Sequence, residues 1–311
     1  MEATYSAIPR GGYYCSSAES LLLKKGRIFA RHRFPVSIPQ TRRTSQSSLG
    51  LTNGFITPKK NCFKVLSSQK KEIPVLEARS IVELYDALAE HLLSMASVAS
   101  NPDSKYIVGL AGPPGAGKST VASEVVDRIN MLWPQKASSM DSQVEPLDVA
   151  TVIPMDGFHL YRHQLDAMEN PEEAHARRGA PWTFDPAKLL TCLRTLRNQG
   201  SVYAPSFDHG VGDPVEDDIF PELMVHQIVI VEGNYLLLEG VWMEVTSIFD
   251  EKWFIEVDID TSMQRVLQRH ISTGKPPDIA KWRIEYNDRR NAELINKSKR
   301  NADLIIKSVD F

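Results

Sequence analysis

From residue 72 onward the apolar positions of the chain switch between two periods. Ile81, Leu84, Tyr85, Leu88, Leu92 and Met95 recur at helical spacing, which predicts an amphipathic helix over 77–97. KYIVGLA (105–111) is instead a short, continuously apolar run, as expected of a strand buried on both faces. DVATVIP (148–154), HQIVIVEG (226–233), KWFIEVDI (252–259) and ADLIIKS (302–308) read the same way. A helix is predicted from about Lys118 to Leu132, and another over 185–200, opened by Asp185 and Pro186 and closed at Gly200. Residues 261–299 are helical in pattern and strongly charged, whereas PQKASSMDSQVEP (134–146) reads as a surface loop. Short apolar strands alternating with helices predict an α/β fold, with a five-stranded, mostly parallel sheet covered by helices on both faces.

Charge adds a boundary. Residues 1–71 carry 13 Lys/Arg against Glu2 and Glu19, a net of +11, while residues 72–311 carry 23 against 37, a net of −14, which together give the chain its −3. The first segment is also rich in Ser and Thr. Basic, Ser-rich and acid-poor is transit-peptide composition, so residues 1–71 are expected to address the protein to the plastid stroma, with the mitochondrion as alternative. A basic disordered arm is the competing reading. Arg42-Arg43 is not followed by an apolar stretch long enough for a twin-arginine export signal. No run approaches the roughly 18 apolar residues of a membrane span, so no membrane partner is expected. The acidic body likewise argues against nucleic acid. Of Cys15, Cys62 and Cys192, only Cys192 lies in the body, set among Leu189, Leu190, Leu193 and Leu196 as a core thiol. The oligomeric state is left open, a homodimer included.

The chemistry begins at GLAGPPGAGKSTVA (109–122). Gly112, Gly117, Lys118 and Ser119 satisfy G-x-x-x-x-G-K-[ST], which arises by chance in roughly one chain of this length in a hundred. Here a predicted strand precedes it and a helix follows. Residues Gly112, Pro113, Pro114, Gly115, Ala116, Gly117, Lys118, Ser119 and Thr120 are thus expected to curl their backbone N–H groups around the phosphates of a nucleoside triphosphate. Lys118 brings a mobile ammonium to the β- and γ-oxygens, and the Ser119 hydroxyl is placed to ligate Mg²⁺. Glu232 ends an apolar strand, where a carboxylate can hold the same ion directly or through water. Acids at solvated strand ends are also common.

IPMDGFHLYRH (153–163) sets Asp156 just past the second strand. Carboxyl ends of neighbouring strands in such a sheet face one crevice, so Asp156 is expected to share it with the glycine loop. An ionised Asp there can accept the proton of a hydroxyl that attacks the γ-phosphorus, although an acid in Asp-Gly is as readily an Asx-turn residue. No N/T-K-x-D motif, LSGGQ signature or H-R-D and D-F-G pair accompanies the loop, which sets aside GTPases, transporter ATPases and protein kinases.

GPPGAGKST, MDGFH, RRGAPWTFDPAKL (177–189), YAPSFDH (203–209), IVEGNYLLL (230–238) and ADLII (302–306) occur in the order of one family. Across residues 77–311 the chain resembles the phosphoribulokinase/uridine kinase/bacterial pantothenate kinase family of P-loop small-molecule kinases. The resemblance implies a P-loop NTPase fold with a helical lid at about 261–299 on a kinase domain of residues 72–311. It also implies ATP as donor, Mg²⁺ as cofactor and a small-molecule hydroxyl as acceptor. Asp156 and Lys118 would be catalytic, Ser119 and Glu232 would hold the metal, and Asp156, His159 and His209 would line the acceptor. Arg177 and Arg178 either bind the acceptor or a phosphate or simply cover the surface. Arg265 and Arg269, at i, i+4 on the lid, either meet the ATP phosphates or form a solvated basic face.

The chain departs from uridine kinases after His209, where Gly-Val-Gly-Asp stands in place of an early arginine. Asp213 is expected to repel an acidic acceptor, favouring a nucleoside, sugar or polyol. A second functional class remains: an ATP-hydrolysing regulator acting on a protein partner. An acceptor that accelerates ADP release separates the two.

Overall fold

The computed structural model describes residues 72–98, 105–137, 148–208, 210–220 and 227–308. All lie in one compact unit, Ser67–Phe311. The transit expectation for residues 1–71 falls outside the described residues, as do His209 and most of the loop expected at 134–146.

In chain order the elements are β1 (Val75–Leu76), α1 (Ile81–Val98), β2 (Tyr106–Ala111), α2 (Lys118–Ala137), β3 (Ala150–Pro154), α3 (Arg162–Asp166), α4 (Pro171–Ala176), α5 (Pro186–Gln199), β4 (Ala204–Asp208), β5 (Asp213–Ile219), β6 (Ile228–Gly233), α6 (Met243–Thr246), β7 (Glu251–Glu256), α7 (Ile259–Ser272), α8 (Pro277–Arg283), α9 (Arg289–Lys297) and β8 (Leu304–Lys307). A 3-10 turn, Met155–Phe158, follows β3, and a π-helical turn, Ile284–Asp288, joins α8 to α9.

Six strands form one parallel sheet in the order β1-β8-β7-β2-β6-β3. The five expected strands are all present, and the two-residue β1 adds a sixth at the edge beside β8. Both faces of the sheet are covered. On one, Val108, Leu110, Ile230, Trp253 and Ile255 pack against Leu88 and Leu92 of α1 and Val121, Val125 and Ile129 of α2. On the other, Ile107, Val229, Val231 and Phe254 meet Leu189, Leu193 and Leu196 of α5, with Trp242 and Phe249. Alternate residues of β2 and β6 thus enter opposite cores, which is why these strands read as unbroken apolar runs.

The expected caps form. Asp185 accepts from the Lys188 N–H at 2.8 Å, and the Gly200 N–H returns to Leu196 O at 2.8 Å. Cys192 is buried in this core, which pushes its thiol up to about 12. α2 runs to Ala137, past the expected end at Leu132 and through Pro134. The antiparallel hairpin β4–β5 was not expected from the pattern. Among the described residues no helix is long and apolar enough to cross a membrane.

Candidate active site: a P-loop facing Asp156 and an arginine-rich loop

The sheet order brings three strand ends together. β6 lies between β2 and β3, and Glu232 is in register with Leu110 on one side and Pro154 on the other. The glycine loop that follows β2 and the Met155–Phe158 turn that follows β3 therefore flank Glu232. Gly157 allows the turn to sit down: a Cβ there would lie 2.0 Å from Pro205 O of β4. Asp156 is held at this corner by its backbone, since its carbonyl oxygen accepts from the His159 N–H (3.2 Å) and from His159 Nδ1 (2.8 Å). Its carboxylate makes no hydrogen bond or ion pair to any described residue. It is not the Asx-turn acid that the Asp-Gly pair allows.

The loop itself is pinned from outside by α7. The Ser262 hydroxyl donates to Pro114 O, and Arg265 Nη1 donates to Gly115 O at 3.3 Å. Gly115 has φ +78, and a Cβ on it would stand 2.7 Å from Ser262 O and 3.0 Å from Val266 Cγ2. Left-handed backbone and a touching helix both demand glycine there.

Inside the loop Lys118 is 9% exposed, and its ammonium donates to Pro113 O at 3.1 Å. Burial holds its pKa below the usual lysine range, with the nearby charges of Glu232 and Asp156 opposing that shift and Arg269 adding to it. Glu232 is 7% exposed and accepts the Ser119 hydroxyl at 2.9 Å. Burial raises its pKa; Lys118 opposes this, while Asp156 adds to it. Lys118, Ser119, Glu232, Asp156 and Arg269 thus occupy one electrostatic neighbourhood.

The donor set fits the cation that the family resemblance implies. Ser119 Oγ and Glu232 Oε1 are adjacent hard oxygens, and the buried carboxylate lacks a full counter-charge, as suits Mg²⁺ shared with phosphate oxygens. The nest of backbone N–H groups at the start of α2 suits the phosphates themselves.

The other wall comes from the RRG loop at 177–179. Arg178 Nη2 meets Asp213 Oδ1 at 3.1 Å, and Asp213 also accepts from the Arg162 N–H at 2.9 Å. Asp213 is therefore compensated by Arg178, which removes the uncompensated charge on which the expected repulsion of acidic acceptors was based. The His159 ring packs in tilted contact against Phe184 (centroids 3.9 Å apart, planes at 35°) and Phe207 (4.7 Å, 39°). Arg178 sits 5.9 Å above the Phe207 ring.

Several residues of this wall were not singled out from the sequence. Tyr235, two positions beyond Gly233, donates its hydroxyl to Gly179 O. Burial raises its pKa; the charges of Asp156 and Arg177 both act on it. From the helical segment, Arg283 Nη2 (3.0 Å) and Asn287 Nδ2 (3.1 Å) donate to Arg178 O, and Asn291 Nδ2 donates to Gly179 O (3.3 Å). Asn287 and Asn291 are buried and linked to each other at 3.0 Å across the π-helical turn. Polar residues at i, i+4 in a charged helix carry no sequence signal of the loop they grip. The segment expected at 261–299 is helical throughout its main pieces, α7 to α9. It touches the glycine loop at one end and the RRG loop at the other.

Residues 107–311 match the model of the phosphoribulokinase/uridine kinase family. The chain belongs to this family. A Schizosaccharomyces pombe protein provisionally named a uridine kinase is 33% identical over 76% of this chain and 94% of its own. A provisionally assigned fructose transport system kinase from Silicibacter sp. TM1040 is 30% identical, with a TM-score of 0.59 over 71% of this chain and 98% of that one. YFH7 from Saccharomyces cerevisiae, provisionally described as a P-loop containing kinase with a circular permutation, shares the fold at 20% identity, with a TM-score of 0.61 over 73% and 99%. The protein is a family member of P-loop kinase type, with the ATP and Mg²⁺ use that membership implies.

Proposed function

We propose that the protein transfers the γ-phosphoryl group of ATP to a hydroxyl of a small metabolite. One observation carries this reading. The Asp156 carboxylate, which has no hydrogen-bond or ion-pair partner among the described residues, stands beside the Lys118–Ser119–Glu232 cluster at adjoining strand ends. A pure ATPase needs the cluster; a kinase also needs a carboxylate reserved for its acceptor.

In this reading the glycine loop and Lys118 hold the β- and γ-phosphates, and Ser119 and Glu232 hold Mg²⁺, which neutralises phosphate charge when bound. Asp156 accepts the hydroxyl proton as the acceptor oxygen bonds to the γ-phosphorus. The bond from that phosphorus to the bridging oxygen breaks, and ADP leaves. A cleft of about 410 Å³, lined by Val257, Asp258, Thr261, Arg265, Lys307 and Ser308, adjoins the loop through Arg265. It is suited to the nucleoside end of ATP. Arg269 lies on the same α7 and acts on Lys118, which favours a phosphate-facing role over a merely solvated one.

The test is ADP release from the full chain with MgATP, screened over hydroxylated metabolites. Stimulation by one compound class, with phosphate recovered on that compound, supports the reading. Steady hydrolysis that no small molecule accelerates contradicts it.

A further inference from the structure

We infer that the acceptor carries an anionic group, a carboxylate or a phosphate monoester, and that Arg178 receives it. This inference rests on the kinase reading above and narrows its acceptor.

Arg178 has a side chain only 12% exposed, and its two terminal nitrogens differ. Nη2 faces Asp213, whereas Nη1 is buried without any hydrogen-bond partner. Burying a charged donor unmet carries a large desolvation penalty, so its retention points to an acceptor atom that arrives with a ligand. Burial accordingly lowers the pKa of this guanidinium. Its place in the site is set by three contacts. Arg178 lies over Phe207, Phe207 packs on His159, and His159 Nδ1 donates to Asp156 O. Arg178 is thus joined to the corner that holds Asp156 through Phe207 and His159.

The surrounding charge points the same way. Arg162 and Arg283 both act on Arg178, and Arg177 is its neighbour in the chain. Arg177 gives its Nη atoms to Tyr286 O (3.2 Å) and Asn291 Oδ1 (3.3 Å), both neutral, and its Nε is also buried without a partner. Arg162 Nη1 and Arg283 Nη2 bind backbone carbonyls. Among the described residues, Asp213 is the one carboxylate in an ion pair with any of these four arginines. Apart from Asp156, which the kinase reading reserves for the acceptor hydroxyl, nearby acids are engaged elsewhere: Glu216 by Lys188 and Tyr161, Glu173 by Tyr286, and Asp288 by His270. A neutral polyol would leave this excess unanswered. A carboxylate or phosphate answers it through the planar fork of a guanidinium.

The experiment compares matched pairs on the full chain: glycerate with glycerol for a carboxylate, and ribose 5-phosphate with ribose for a phosphate, with inorganic phosphate as a bare anion. Two readouts are taken, ADP release with MgATP and thermal stabilisation with a non-hydrolysable ATP analogue. Anions should stabilise the wild-type protein, and an acid should outperform its neutral counterpart; which pair responds identifies the group. Arg178→Gln should raise the half-saturating acid concentration about 10- to 100-fold and leave that of ATP unchanged. Asp213→Asn frees Arg178 and should lower it. Opposite signs in the two variants exclude general damage, so shifts in the same direction overturn the proposal. It is equally overturned if neutral compounds match acids, if no anion stabilises the wild type, or if Arg178→Gln weakens ATP instead. Should anions bind through Arg178 while no compound accelerates ADP release, the anion site stands and the kinase reading fails.

Discussion

Ser119 donates its hydroxyl to Glu232 across 2.9 Å, joining the first turn of α2 to the end of β6. The two residues are 113 positions apart, and only the placement of β6 beside β2 brings them together. The pair offers two oxygens to a cation and buries a carboxylate that burial alone disfavours.

Replacing that carboxylate tests its metal role. Glu232→Gln keeps the shape and the Ser119 contact but removes the charge. The Mg²⁺ concentration giving half-maximal activity should rise by about 10- to 100-fold, the usual span for losing one metal-supporting group. A magnesium titration at fixed ATP checks this. An unchanged midpoint would mark Glu232 as a strand-ending acid without a metal role.

In the proposed reaction Lys118 meets charge that develops on the transferred phosphoryl group. Lys118→Ala should lower kcat on the order of 10²-fold or more, by analogy with deleting one preorganised donor. Steady-state kinetics on the folded variant reads this directly. Turnover close to wild type would contradict the assignment.

Gly115 links the loop to α7. Gly115→Ala places a Cβ 2.7 Å from Ser262 O at φ +78, a strain of about 1–3 kcal/mol. Tm should fall by about 2–4 °C for each kcal/mol lost, and ATP binding should weaken with it. Calorimetry and nucleotide titration measure the two. A variant as stable as wild type, binding ATP normally, would show that α7 can withdraw from the loop at no cost.

The hydrophobic period revealed most of this fold because β2, β3, β6, β7 and β8 are buried runs between capped helices. β1 has only two residues, too few for any period to show. The hairpin was hidden for a different reason. β5 exposes Glu216, Asp217 and Asp218, and an acidic strand lying outside the main sheet does not alternate recognisably. The glycine loop, Glu232 and Asp156 were legible because local spacing and strand ends define them. The partner of Asp213 was not. Arg178 lies 35 residues earlier, and the approach of β5 to the RRG loop decides whether Asp213 repels or balances. The same holds for Asn287 and Asn291, whose partners are backbone carbonyls more than 100 residues away.

The charge boundary near residue 71 predicts that residues 1 to roughly 70 direct import and are dispensable for folding and ATP binding. A fluorescent fusion of that segment should enter plastids, and a chain starting at residue 72 should fold and bind ATP. Diffuse cytosolic fluorescence, or a truncated chain that fails to fold, would refute the boundary or the address.

Asp156 separates a kinase from an ATPase built on the same loop. Asp156→Asn keeps the side chain's size and removes its basicity, and the amide still hydrogen-bonds an acceptor hydroxyl. Lys118, Ser119 and the backbone nest remain to hold ATP, and basal hydrolysis needs no acceptor. The deciding measurement is ATP affinity, basal hydrolysis and acceptor-stimulated ADP release, taken side by side for wild type and variant. Affinity and basal hydrolysis should be nearly unchanged, while stimulated release falls by roughly 10²–10⁴, the span of a positioned general base. Loss of all three together would make Asp156 a metal or structural residue, and intact stimulation would assign the proton to another group; either result contradicts the account.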